Sequence, residues 1–361
     1  MRNFKLGVKI GGGFGLLVLV SLVLGGLAVF NMSHVETLLV KLQKAYVAEL
    51  GLVGQLERRA QRTMYDIRGY ALSEDRNYLK AGRENLAKVK ESLAESKDLV
   101  SRYPFLVKLK AGVGKVEELV NAYDRLVNDT AARDDGIDAA RLAMDRDALG
   151  YMNACKAYLQ DEEKKLDQQL QTRDDPVRQQ ARARKVTQMN QVMALGNDIR
   201  VKNFKAQALR DHALLREALK DFEVIFKIVD ELTSLSTQEL NTKQLSTIKT
   251  AAVEYQKAMG QFLEHWDAMD RLSKQRNQVG AELLELTRQI SLAGMEGMRA
   301  ISAESTGALN LANWVMVIGL IVALLISVLA ALFITRSITM PVVATVRAVG
   351  KAAEGDFTFT L

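Results

Sequence analysis

The residues best equipped to do chemistry in this chain are arginines. Arg59 and Arg62 stand three positions apart, which puts both on one face of a helix. Guanidinium groups are planar forks that match carboxylates two hydrogen bonds at a time. A set of them turned inward is costly unless an anion joins it. Arg200, Arg146 and Arg288 complete the candidate set, and the chemistry they offer is capture of a small carboxylate or dicarboxylate. Catalysis has nothing to organise it. The histidines His34, His212 and His265 lie far apart, and Cys155 is the single cysteine, which excludes a disulfide framework and a Cys-based zinc site. No phosphate-binding glycine loop, nucleophile elbow, zinc-protease helix or dinucleotide fingerprint is present. The expectation is a protein that is not an enzyme, with no metal site and no cofactor. His212, Tyr65, Tyr70, Tyr123, Trp266 and Cys155 read as packing residues.

The elements that must position these arginines start from two apolar runs. Residues 10–30 and 314–334 carry no charge, and each is long enough to cross about 30 Å of hydrocarbon at 1.5 Å per residue. A cleaved signal peptide is the alternative for the first run, but its apolar stretch is too long. Arg2, Lys5 and Lys9 precede the first run, and Arg336, Arg347 and Lys351 follow the second, opposed only by Glu354 and Asp356. The positive-inside rule places both termini in the cytoplasm, with residues 1–9 forming the N-terminal tail. Residues 31–313 then lie outside, in the periplasm of a Gram-negative cell, between two spans of the inner membrane. The net charge of +6 and pI near 9.2 reflect this topology and give no support to nucleic-acid binding.

The external part reads as helix throughout. It holds two prolines, Pro104 and Pro176, and apolar residues recur at three- and four-residue steps, as in Val113, Val116, Val120, Tyr123, Val127 and in Val279, Leu283, Leu286, Ile290. Turns at Pro104, at Asp174-Asp175-Pro176 and near Ser236 divide it into legs 34–101, 104–171, 177–238 and 242–308. Each leg is about 100 Å if helical. The predicted fold is all-α: two transmembrane helices flanking an up-down-up-down bundle. Interruptions near Ser73, Arg210-Asp211 and Asp134-Asp135-Gly136 suggest two stacked four-helix modules made from six helices. Counted along these legs, Arg59, Arg62, Arg146, Arg200 and Arg288 fall within one or two helical turns of one level above the membrane. A solvated bundle face would also carry such arginines, with Asp145, Asp147 and Asp198 as neighbours.

A resemblance becomes specific after the second apolar run. Arg336-Ser337-Ile338, then Pro341, an amphipathic stretch with Val342, Val346 and Val349, and Glu354-Gly355-Asp356-Phe357 resemble the start of a HAMP domain, so residues 335–361 are expected to open one. Met340 departs from that pattern, where a basic or polar residue is common. The basic start followed by Gly13-Phe14-Gly15 is similar to the opening of methyl-accepting chemotaxis proteins. The external arithmetic resembles their helical bimodular sensor domain. That resemblance implies a transmembrane chemoreceptor for an organic acid, working as a homodimer and signalling to cytoplasmic chemotaxis machinery. It also implies dicarboxylate-holding arginines: Arg59 and Arg62 match a first-helix pair, and Arg200 matches a third-leg arginine by position only. The alternatives are the sensor region of a membrane histidine kinase or diguanylate cyclase, or a receptor for a periplasmic binding protein docking on an apolar tip at Tyr103-Pro104-Phe105-Leu106.

Overall fold

A computed structural model describes residues 6–353, so Arg2, Lys5 and the Glu354-Gly355-Asp356-Phe357 end of the HAMP-like segment lie outside the described residues. Helix dominates, and no strand occurs among the described residues. The order is α1 (Leu6–Lys41), α2 (Ala48–Ser73), α3 (Arg76–Arg102), α4 (Val107–Gln171), α5 (Pro176–Leu209), α6 (His212–Ser234), α7 (Glu239–Ile334) and α8 (Met340–Ala353). One π-helical segment, Leu42–Val47, joins α1 to α2, and another, Thr335–Thr339, joins α7 to α8. Pro341 has no N–H to return to the turn before it, and the second π segment carries the helix past it.

Two of the predicted legs are hairpins. At Ser73-Glu74-Asp75 the chain reverses rather than merely pausing: Glu74 takes a left-handed backbone (φ 59°) and the Asp75 side chain caps Asn77 N–H at 2.9 Å. Contacts then draw apart from the turn in antiparallel order. Gly69 lies against Tyr78 and Gly82 against Ile67, Asn85 donates to Asp66, and Arg59 donates to the Lys88 carbonyl. The third leg folds back in the same way. Arg210 is left-handed (φ 54°), Asp211 caps the Ala213 and Leu214 N–H groups, and Lys202 meets Asp221 while Gln188 meets Glu231. The other two legs are unbroken. α4 runs straight through Asp134-Asp135-Gly136, because this segment is a packing site: Tyr70 donates to Asp134 at 2.6 Å, and a Cβ on Gly136 would come within 2.6 Å of the His265 ring.

The chain divides into two compact units. The first takes in Met1–Gln55, Ser92–Gly114 and Thr287–Leu361. In it α1 and α7 run antiparallel, with Gly13 against Ile334, Leu24 against Gly319, Glu49 against Gly294 and Tyr46 against Gly297. Gly319 permits the closest approach, since a Cβ there would stand 2.1 Å from a Leu24 methyl. Both helices are long and apolar enough to cross a membrane, and they leave residues such as Leu22, Phe30, Leu320 and Leu329 exposed. The Tyr103-Pro104-Phe105-Leu106 turn is partly packed, with Phe105 itself 40% exposed. Leu106 is buried and Phe105 packs on Tyr46, ring centroids 5.9 Å apart.

The second unit is Leu56–Glu91 with Lys115–Leu286. It contains two sets of four helical segments that share α4 and α7. In one, the α5–α6 hairpin closes an apolar core around Tyr151, Tyr158, Phe222, Tyr255 and Phe262. In the other, the α2–α3 hairpin packs on α4 through Tyr70 against Asp134 and on α7 through Met64 against Gly280 and Arg68 against Asn277, while Arg276 of α7 meets Thr130 of α4. Hairpin plus two through-helices is how six helices make two four-helix layers here.

Candidate anion site

One helix position breaks the logic of its own core. Along α7, Ile248, Tyr255, Phe262, Met269, Leu283 and Ile290 recur at seven-residue steps and are all buried. The residue that fills the step between Met269 and Leu283 is Arg276, at 3% exposure. A heptad seam of this kind keeps one face turned to the neighbouring helices, so the arginine is carried inward with its apolar companions.

Its surroundings leave the charge unmatched. Arg276 Nη1 donates to Thr130 Oγ1 on α4, while Nη2 is buried with no hydrogen-bond partner among the described residues. No carboxylate pairs with it among those residues. Burial pulls its pKa down, the Tyr123 phenol acts the other way, and the Arg68 guanidinium on α2 adds to the depression. Arg68 itself donates to Asn277 Oδ1 at 3.0 Å. Burial pushes Tyr123 up to about 12, so it enters as a neutral hydroxyl. Two guanidinium groups, a phenol and a threonine hydroxyl thus converge without an acid. Leaving a buried charge uncompensated costs several kcal/mol, and a carboxylate bonded to the free Nη2 removes that cost. No group of His, Cys, Asp and Glu that could hold a metal ion occurs among the described residues.

The five arginines read from the sequence are distributed differently. Arg59 and Arg62 are brought together on α2 in the second unit. Arg59 donates to the Lys88 carbonyl at 2.8 Å, and Arg62 is 63% exposed, pairing with Asp66 at 3.5 Å and lying over the Tyr65 ring. Arg146 and Arg200 belong to the other helical set of that unit. Arg146 is 75% exposed and bonded to Asp147, and Arg200 is exposed beside Tyr255. Arg288 is exposed and belongs to the first unit. The common level rested on counting a single rising leg through residue 101 and another through 238. The reversals at 73–75 and 210–211 remove that count, because α3 and α6 run opposite to the helices before them.

Arg276 had a visible sequence signal, its seven-residue spacing from Met269 and Leu283. Residue type alone marks it as surface, since arginine is seldom buried. Compared with known proteins, the chain matches no family model and no curated sequence.

Proposed function

We propose that this chain is a transmembrane chemoreceptor that senses a small organic acid outside the cell and passes a helix displacement inward. The observation that carries the reading is Arg276, a buried guanidinium without a counter-ion in the shared core of α2, α3, α4 and α7. A di- or tricarboxylate supplies the missing partner, with Arg68 and Tyr123 as further donors. α7 is one unbroken helix from Glu239 through the second apolar run to Ile334. A shift of about 1–2 Å along it on anion binding therefore reaches the inner side of the membrane without a joint to absorb it. Charge-assisted hydrogen bonds of about 1.5–3 kcal/mol each are enough to choose between two packings a few kcal/mol apart.

The basic residues flanking the two runs support a cytoplasmic location for both ends and a periplasmic one for the bundle. The HAMP-like segment continues as α8, whose Val342, Val346 and Val349 are exposed at four- and three-residue steps. Such a seam is covered by a second copy of the chain in a homodimer, which hands the displacement to cytoplasmic signalling partners.

The test is calorimetry on the full chain in lipid nanodiscs, titrated with acetate, succinate, malate and citrate. At least one should bind, and Arg276→Gln should weaken it by about 30-fold or more, the equivalent of one or two charge-assisted bonds. Absence of heat with all four, or parental affinity in the Arg276→Gln chain, refutes the site. Arg62→Ala separates the two sites: binding that survives it belongs to Arg276 and not to the pair at Arg59 and Arg62.

A further inference from the structure

A cavity of about 300 Å³ lies elsewhere in the second unit, where the α2–α3 turn and the α5–α6 turn meet α4 and α7. It is distinct from the Arg276 site, which does not line it. One wall is the Arg141 guanidinium, which holds Glu74 with both ends of its fork, Nη1 to Oε2 at 2.6 Å and Nη2 to Oε1 at 3.1 Å. That hydrogen bonding keeps the Glu74 carboxyl below its usual range. The guanidinium also lies over the Phe262 ring, 5.6 Å from its centre. Phe262, Trp266, Ile137 and Met269 give the cavity an apolar floor.

The charges around this floor are of both signs. Arg210 reaches the Leu72 carbonyl at 2.5 Å from the second turn. Asp134, buried and hydrogen-bonded by Tyr70, and Asp270, exposed and 3.4 Å from His212 Nε2, add negative walls. Glu74 and Arg210 both sit in left-handed backbone, φ 59° and 54°, at turns where glycine is the residue of lowest strain. Each turn thus carries a charge into the cavity at a position whose backbone favours no side chain.

We infer that this cavity binds a free L-α-amino acid with an apolar side chain. A simple carboxylate suits Arg141 but meets Glu74, Asp134 and Asp270, and a simple amine meets the two arginines. A zwitterion satisfies both. Its α-carboxylate takes the Arg141 fork in place of Glu74, and its α-ammonium takes the released Glu74 carboxylate. Every charge keeps a partner through the exchange. The resident pair is readily exchanged because both side chains are more than one-third exposed, at 35% and 40%. The side chain then lies on Phe262 and Trp266, and occupancy ties the two turns together.

The experiment uses the full chain in nanodiscs with three probes of one shape: L-leucine, 4-methylpentanoate, which lacks the ammonium, and 3-methylbutylamine, which lacks the carboxylate. The other L-α-amino acids are screened beside them by intrinsic tryptophan fluorescence and calorimetry. An L-amino acid of this class should bind and change the emission of Trp266, and the change should vanish in Trp266→Phe. Each analogue that lacks one charge should bind about 30-fold more weakly or worse. Arg141→Ala should abolish binding. Glu74→Gln, an exposed and isosteric change that leaves the fold intact by circular dichroism, should weaken it about tenfold. Arg276→Gln should leave it unchanged, which separates this site from the anion site. The inference is overturned if no L-α-amino acid binds, if 4-methylpentanoate binds as well as leucine, if Glu74→Gln binds as the parent does, or if Arg276→Gln abolishes binding.

Discussion

The two helical sets of the second unit share α4 and α7 but differ in how their buried charges are partnered. Around the α5–α6 hairpin the core is largely aromatic, and its buried carboxylate is paired, Glu162 accepting from Arg182 at 2.9 Å and from Asn241. Phe222 and Tyr255 meet edge-on at 5.4 Å, the Tyr151 hydroxyl is returned to the Val192 carbonyl at 2.8 Å, and Cys155 packs among them fully buried. Around the α2–α3 hairpin the buried residues include Asp66, Thr130, Asp134 and Arg276. Both sets bury oxygens without hydrogen bonds, Tyr158 Oη in the first and Asp66 Oδ1 in the second, but among the described residues only the second buries such a nitrogen, Arg276 Nη2. A core of the first kind has one good packing. A core of the second kind carries the cost of an uncompensated buried charge, which a counter-ion would remove.

This contrast can be broken by substitutions whose effects differ in sign. The largest should come from Phe222→Ala, which opens a cavity in the aromatic core and should cost about 3–5 kcal/mol in the thermal unfolding of the full chain. A smaller loss than 1 kcal/mol would show that this core is not the tightly packed one. Next is a pH effect in the first unit, which holds a third kind of buried polar group. Glu49 is 2% exposed, and burial raises its carboxyl from the usual range to about 7. The folded chain therefore keeps this proton after the unfolded chain has lost it. The stabilisation is complete below the ordinary carboxylate range and is lost as pH rises towards about 7, a change of order 3 kcal/mol. Glu49→Gln should flatten that part of the stability profile and be more stable than the parent at pH 8. An unchanged slope would assign it to other groups.

Arg276→Met should act oppositely to Phe222→Ala. Filling the seven-residue seam with an apolar side chain should stabilise the ligand-free protein by about 2 kcal/mol while removing anion binding. Destabilisation would mean that the guanidinium is satisfied and that the two cores are alike. The smallest effect should be at Arg146, which is 75% exposed beside Asp147. Arg146→Ala should leave both the unfolding midpoint and anion affinity at parental values, and a loss of affinity would return Arg146 to the pocket.

The extent to which the site was legible follows from the same residues. Arg59 and Arg62 are legible as neighbours in the sequence, because an i, i+3 spacing is a property of one helix. Their grouping with Arg146, Arg200 and Arg288 was a statement about distance between helices, and it depended on the direction of every leg. Asp134-Asp135-Gly136 looks like a breaker by composition, yet Tyr70 and His265 occupy the space that makes it continuous helix. Arg276 shows its spacing in the sequence, but the lack of a carboxylate beside it appears only once α2 and α4 are packed against α7.

The sequence by itself determined that the described residues are helical, that two stretches are apolar enough for a membrane, and where most of the turns fall. These are local properties, set by periodicity, prolines and caps within a few residues. Only the tertiary structure decided that the turns at 73–75 and 210–211 reverse the chain, which helices share a core, and which charges remain unmatched there. The reason is that a turn's direction and a charge's compensation are fixed by partners far away in sequence, and no window along the chain contains both sides of such a contact.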